Sequence, residues 1–240
     1  MTPILALFAA VSIATDTGAM TRPQVVAALG AATDAHPADL SGHDLSGLDL
    51  SGLKFAKANL SNCRLNGTKF VNDTMFAVDL DHAVARRADF SGAILDISSM
   101  RGADFTGATF HGASLYAVIM PDANFTDADL SNTRLVATAA NAIFVRANFS
   151  RADVGADPRN QPMGVMRTDW TNANLTNANL TGVNLRKAKL TRANLTDADL
   201  TDADLTLADL TDAVFHNIKG RQTIKGLDQA IHRDDAHFDP

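Results

Sequence analysis

The chain has 240 residues, of which 46% are apolar, 20% charged and 6% aromatic, enough for one or two ordinary domains. Its formal net charge of −6 argues against a protein that binds a phosphate backbone, and its lone cysteine, Cys63, excludes an internal disulfide or a cysteine-rich zinc site. Twelve Phe against one Trp and one Tyr point to a core that reuses one shape of apolar filler.

In chain order, residues 4–14 (ILALFAAVSIA) carry no charge. Eleven residues are too short for a bilayer-spanning helix, which needs about 20, but long enough for the core of a signal peptide. Ser12 and Ala14 supply small residues two apart, and polar Thr15 and Asp16 follow, although no Lys or Arg precedes the run. The expectation is a leader over 1–19 and a periplasmic or secreted protein. The alternative is an apolar N-terminal helix on a cytoplasmic protein. Thr21-Arg22-Pro23 then opens a short helix, with Thr as N-cap and Pro in the first turn, and 20–37 is predicted to be an N-terminal cap.

From Leu40 a large apolar residue recurs every five positions: Leu40, Leu45, Leu50, Phe55, Leu60 and onward to Leu135. The register slips by one residue at Ala139, continues through Phe144, Phe149 and Val154, and resumes from Trp170 to Phe215. Most of these centres are Leu or Phe, and the residue two before each is usually Ala. Neither 3.6 nor 2.0 residues per cycle keeps every fifth residue on one buried face. A coil that turns a corner every five residues does.

The stretches ANLTNANLTGVNL at 173–185 and ADLTDADLTLADL at 198–210 resemble the pentapeptide-repeat family, whose unit is Ala-(Asp/Asn)-Leu-x-x. The resemblance covers about 38–216 and implies an all-β solenoid, a right-handed quadrilateral β-helix with four units per coil. Each centre, and the small residue two before it, would point inward. Such repeats are stable only through neighbour stacking and need capped ends. Ile224, Leu227, Ala230 and Ile231 give 217–240 a helical apolar stripe, expected to act as a C-terminal capping helix and tail; a homodimer seam is the second reading.

Residues 155–167 (GADPRNQPMGVMR) break the pattern with two Pro and two Gly, and the sixteen-residue gap from Val154 to Trp170 leaves about eleven extra residues for a loop. Met163 and Met166 there have no His or Cys nearby to make a metal site. His232, Asp234, Asp235 and His237 fit no metal spacing and read as a solvated tail. Asp73 falls on an inward position without a titratable partner in its column, and is expected to hydrogen-bond backbone at a distorted corner. His43 is inward too, but in the first coil, where water reaches. No nucleophile motif, phosphate-binding loop, cofactor motif or metal triad appears, and a filled coil leaves no substrate cleft.

Two functional readings remain. Some pentapeptide-repeat proteins mimic DNA and inhibit or protect a type II topoisomerase such as gyrase, and Asp197, Asp199, Asp202, Asp204, Asp209 and Asp212 would suit that role. However, Lys189 should stack over Asp209 and Arg192 over Asp212, neutralising much of the acidic run. The other reading is a non-catalytic scaffold that binds a protein partner. Phe76, Ile94, Ile97, Tyr116, Ile119 and Val136 gather outward around the corner following Phe55, Met75, Leu95, Leu115 and Leu135, and contiguous exposed apolar surface marks a contact site. Val154 belongs to the same corner, so the loop, with Met163, Val165 and Met166, should either cover this patch or share it with a partner.

Overall fold

The computed structural model describes residues 18–156 and 166–239. The expected leader lies outside the described residues, apart from Gly18 and Ala19. Among the described residues no helix is long and apolar enough to cross a membrane.

Each five-residue unit forms a parallel bridge to the unit one coil later. The partners stand twenty residues apart from Asp39↔Asn59 through Thr109↔Asp129. The interval is nineteen at Asn124↔Ile143 and Asp129↔Asn148, thirty-one at Ile143↔Asn174 and Asp153↔Asn184, and twenty again at Asp169↔Lys189. Four units thus make a coil, one coil is a residue short, and one carries eleven extra residues.

The unit's chemistry explains the turn at each corner. The residue before the centre is commonly Asp or Asn, and its Oδ1 accepts the N–H of the residue two later, as in Asn174 to Thr176 at 3.1 Å and Asp89 to Ser91 at 2.9 Å. A Ser or Thr there adds its hydroxyl to the same oxygen, at 2.6 Å in both cases. The second residue after the centre has left-handed backbone, as at Asn72 (φ 57°) and Asp127 (φ 60°), a conformation that favours Gly, Asn and Asp.

The centres and the residues two before them fill the interior. Stacking at roughly 4.8 Å per coil brings like rings into van der Waals register. Phe70, Phe90 and Phe110 stack with centroids 5.0 and 4.8 Å apart, and Phe105, Phe125 and Phe144 form a second column, against which Trp170 packs from the adjacent column at 5.3 Å from Phe144. The preference for Phe follows from that register. Where a thiol or hydroxyl replaces Ala inside, it donates to a carbonyl, as Cys63 does to Leu40, Thr68 to Leu45 and Ser98 to Met75. Burial pushes the Cys63 thiol up to about 12, so it stays protonated and inert.

At the N-terminus, α1 (Arg22–Ala31) buries Val25 in the core cluster. Gln24 accepts the N–H of its N-cap Thr21 at 2.8 Å, and Arg22 donates to the carbonyl of Asp49 at 2.9 Å. Ala19 bridges Asp44, extending the ladder by one strand position. His43 is partly buried, as expected, with Nδ1 against the carbonyls of Leu40 and Ser41.

The one-residue slip creates the two longest strands, β1 (Ser114–Ile119) and β2 (Arg134–Thr138). They pair in parallel with Ala117 as the unmatched residue. Because only three residues separate Leu135 from Ala139, where four separate other successive centres, the left-handed corner residue is missing, and the chain runs through that corner extended.

The C-terminal segment corrects the expectation of a capping α-helix, and His232, Asp234, Asp235 and His237, exposed as expected, belong to an ordered coil and not to a tail. Its bridges, Asp199↔Lys219, Asp204↔Lys225, Asp209↔Ile231 and Val214↔His237, add one more coil whose units are six residues long. Leu227–Gln229 and Arg233–Asp235 are single 3-10 turns within it. Ile218, Ile224, Ala230 and Ala236, six apart, pack against the core. The two short strands β3 (Val214–Phe215) and β4 (His237–Phe238) close it, with Phe238 stacked on Phe215 at 4.7 Å. The stripe read at helical spacing was sampled from a six-residue period.

Candidate functional site

The corner singled out in the sequence gathers four of the eight large exposed apolar side chains among the described residues. Phe76 is 41% exposed, Ile94 44%, Ile97 49% and Ile119 39%. They lie in three successive coils: Ile94 and Ile119 on the flanking strand positions, Phe76 first and Ile97 second in the turn. Tyr116, one coil beyond Ile97, is half-buried. Its N–H donates to Asp96 at 2.9 Å, and the Arg134 guanidinium lies 5.7 Å from its ring centroid. Arg134 is held in turn by Asp153 at 2.9 Å and by the carbonyl of Gly155.

Val136 departs from the expectation: it is buried, with 1% exposure. In the corner that lost a residue it lies in β2 between Tyr116 below and the column position of Gly155 above. Val136 stands outside the core cluster that takes in Leu135 and Ala137 on either side of it, so it is a covered outward side chain of this corner and not an exposed one.

The insertion leaves where expected. Ala156 still bonds to Arg186 in the next coil, and Thr168 re-enters, its hydroxyl accepted by the carbonyls of Val154 at 2.8 Å and Leu135 at 3.2 Å. Met163 and Val165 lie outside the described residues. Met166 is described, and its sulfur accepts the Tyr116 hydroxyl at 3.5 Å. The returning limb thus touches the patch.

A continuation of this corner went unnoticed in the sequence. Leu207, 40% exposed, and Ile231, 41% exposed, line an open groove with Arg167 and Lys187. Adding twenty to each position fails across the insertion; adding thirty-one would have aligned them.

The acidic run is differently engaged than expected. Asp199, Asp204 and Asp209 each accept both the N–H and the hydroxyl of the Thr two residues on. These bonds, chiefly the Thr201 hydroxyl, hold the Asp199 carboxyl below the ordinary range. Lys189 reaches back to Asp169 at 3.4 Å, and Arg192 to Asn172 at 2.8 Å, so neither side chain pairs with Asp209 or Asp212. His232 Nδ1 lies 3.2 Å from Asp209. Among the described residues no cluster of three His, Cys, Asp or Glu stands close enough to hold a metal.

Asp73 behaves as its position suggested. Its Oδ1 accepts the N–H groups of Gly52 at 2.5 Å and Leu53 at 3.0 Å, while Oδ2 is buried without a partner.

A scan against protein families matches Pentapeptide repeats, in eight copies, within residues 38–70, 75–135 and 167–219. No curated protein sequence matches the chain significantly. Among solved structures, HetL from Nostoc sp. strain PCC 7120, a pentapeptide-repeat protein, is 24% identical over 91% of this chain and 94% of its own, with a TM-score of 0.41. A trypsin-treated QnrB1, a plasmid-mediated fluoroquinolone resistance protein, is 19% identical over 78% of this chain and 90% of its own, with a TM-score of 0.43. At such TM-scores these likenesses bear on neither partner nor process. The repeat matches span more than half of the sequence, and the chain belongs to the pentapeptide-repeat family.

Proposed function

We propose that the protein is a non-catalytic, exported interaction scaffold, a right-handed quadrilateral β-helix that holds a protein partner against the corner of Phe76, Ile94, Ile97, Tyr116 and Ile119. One observation carries the reading: four large apolar side chains stand about 40–50% exposed within three successive coils of one corner. Coils whose centres are fully packed leave only surface to work with. A photo-crosslinking residue at Ile97, introduced in the native cell, should capture a defined protein, and the adduct should vanish when Phe76 and Ile119 become Ser. A crosslinker at the polar Asn177 corner serves as control; equal capture from both sites would overturn the reading. Fractionation of the same cells tests export.

The topoisomerase reading has less support, because the carboxylates at Asp199, Asp204 and Asp209 are committed to their own turns and are not arrayed freely along a face. A gyrase supercoiling assay is expected to be indifferent to this protein.

A further inference from the structure

The groove beyond the insertion joins two kinds of chemistry. Arg167, Lys187 and Leu207 stand one above another in successive coils, because Asp169, Lys189 and Asp209, two residues after each, bridge in series. Ile231 bridges Asp209 from the coil after them. These four residues line a groove of about 430 Å³. Small-molecule sites run from about 300 to 1,000 Å³, so one small ligand fits. Its cationic half spans two coils and its apolar half the next two.

Lys187 and Leu207 hold their places against a backbone preference. Both are left-handed, with φ of 58° and 57°, as are Lys57, Ala77, Ile97 and Ala117 in the same column, and none of the six is Gly, Asn or Asp. At the other corners of the five-residue units Gly, Asn and Asp dominate, and the exceptions are His82, Arg87, Arg146, Arg151 and Arg192, none of them aliphatic. Leu207 is also 40% exposed, so burial offsets little of its strain, and strain kept at an exposed apolar side chain points to a use outside the fold. The two cations are free to act. Arg167 and Lys187 make no ion pair among the described residues, and the carboxylates around them are engaged: Asp169 with Lys189 and Thr171, Asp204 with Arg186 and Thr206, Asp209 with His232 and Thr211. Asp228 lines a separate hollow with Ile224, Leu227 and Arg233.

We propose that this groove binds a single free anionic amphiphile, a medium-chain carboxylate whose head lies against Arg167 and Lys187 and whose tail lies along Leu207 and Ile231. The head follows from charge: a guanidinium and an ammonium without a counter-ion, side by side on an acidic protein, favour an anion. The tail follows from the lining, since exposed Leu and Ile gain by covering hydrocarbon. Two coil steps separate Lys187 from the coil of Ile231, roughly 10 Å, a span that suits a medium-length chain. A concave groove of this size takes one chain, whereas a bilayer needs a broad apolar face. The groove stands four coils beyond Ile119, so this site is distinct from the corner that holds the protein partner.

The test titrates the full chain with octanoate, with octylamine (same tail, opposite head) and with acetate (same head, no tail), read by Ile and Leu methyl NMR. Octanoate should shift the methyls of Leu207 and Ile231 and bind at least ~10-fold more tightly than either control. Arg167→Glu with Lys187→Glu should turn the preference toward octylamine. Leu207→Asn suits left-handed backbone, so it should weaken octanoate at least ~10-fold while the thermal midpoint holds or rises, which separates a ligand wall from a structural one. Equal binding of octanoate and octylamine, unmoved Leu207 and Ile231 methyls, or affinities that neither variant changes would overturn the proposal. So would sedimentation of the protein with phosphatidylglycerol vesicles in a manner lost in the charge-reversed variant, because the groove would then read a membrane surface. The crosslink at Ile97 probes the other site, and the two readings can fail separately.

Discussion

The hydroxyl of Tyr116 donates to the sulfur of Met166 at 3.5 Å, across fifty residues of sequence, so the re-entering limb of the insertion rests on the corner with the exposed apolar side chains. Thioether and ring adapt to each other without a rigid geometric demand. Met166→Ser should uncover the Tyr116 ring and raise binding of a hydrophobic dye. The change in stability should stay within about 1 kcal/mol, because the site is near the surface. An unchanged dye signal would mean that the contact shields nothing.

Ile97→Asn should stabilise the protein. Asn is tolerated in left-handed backbone, as at Asn72 (φ 57°), while Ile97 (φ 53°) is strained and 49% exposed, so little burial is lost. A gain of about 1 kcal/mol, seen as a raised thermal midpoint, is expected. A loss of stability would show that Ile97 is held by packing, and would remove the strain argument for this edge.

Phe90→Ala should be among the most damaging single changes in the repeats. The ring is stacked between Phe70 and Phe110, at 5.0 and 4.8 Å, and meets Phe105 edge-on at 5.8 Å. Its removal opens a cavity shared by three coils, at a cost of about 3–5 kcal/mol in chemical denaturation. A cost near that of a surface change would mean that the stack relaxes.

Most of the fold was legible because each unit repeats its own instructions: an inward Leu or Phe, an Ala two before it, an Asp or Asn that closes the turn. The insertion was legible as a count, since sixteen residues where five suffice leave eleven, and the bridges shift from twenty to thirty-one. Val136 points outward as expected but is covered, because column arithmetic gives the direction of a side chain and not what lies over it. The last coil was misread because Ile224, Leu227, Ala230 and Ile231 fit a helical stripe, while Ile218, Ile224, Ala230 and Ala236 fit six residues per side equally well. Only the bridges to Asp204 and Asp209 decide between them. The strained edge was present in the sequence as a column without Gly, Asn or Asp, a signal visible once the left-handed position is known.

The six-residue coil should act as the stop on the stack. Ile218 and Ile224 pack on the core and Phe238 on Phe215, so removing 217–240 would leave the last five-residue coil open. Open ladder edges invite pairing with another chain. Light scattering should then detect concentration-dependent association that the full chain lacks. A truncated chain that stays monomeric would show that the preceding coil closes itself.

Asp73 should make stability depend on pH in the direction opposite to its neighbours. Burial pushes its carboxyl up to about 6, the N–H groups of Gly52 and Leu53 pull it down, the Asp49 charge adds to the rise, and Arg22 opposes it weakly. The folded chain therefore holds the proton more tightly than the unfolded chain, whose value is near 3.8. That contribution is fully present below about 3.8 and is lost as pH rises through about 6. Asp44, Asp104 and Asp169 have lowered values and contribute the reverse, stability lost as pH falls through their folded values, so the native curve alone mixes both signs. Asp73→Asn keeps an oxygen for Gly52 and Leu53 and cannot ionise. Its stability relative to the native chain should rise by roughly 2–3 kcal/mol between pH 4 and 7. Asp73→Ala removes the acceptor and orphans both N–H groups, costing about 1–3 kcal/mol for each that stays buried, even at pH 4. Denaturation curves of the three proteins at several pH values test this directly. A native-minus-Asn difference that is flat with pH would show that Asp73 ionises as freely folded as unfolded, and that its unpartnered oxygen is solvated.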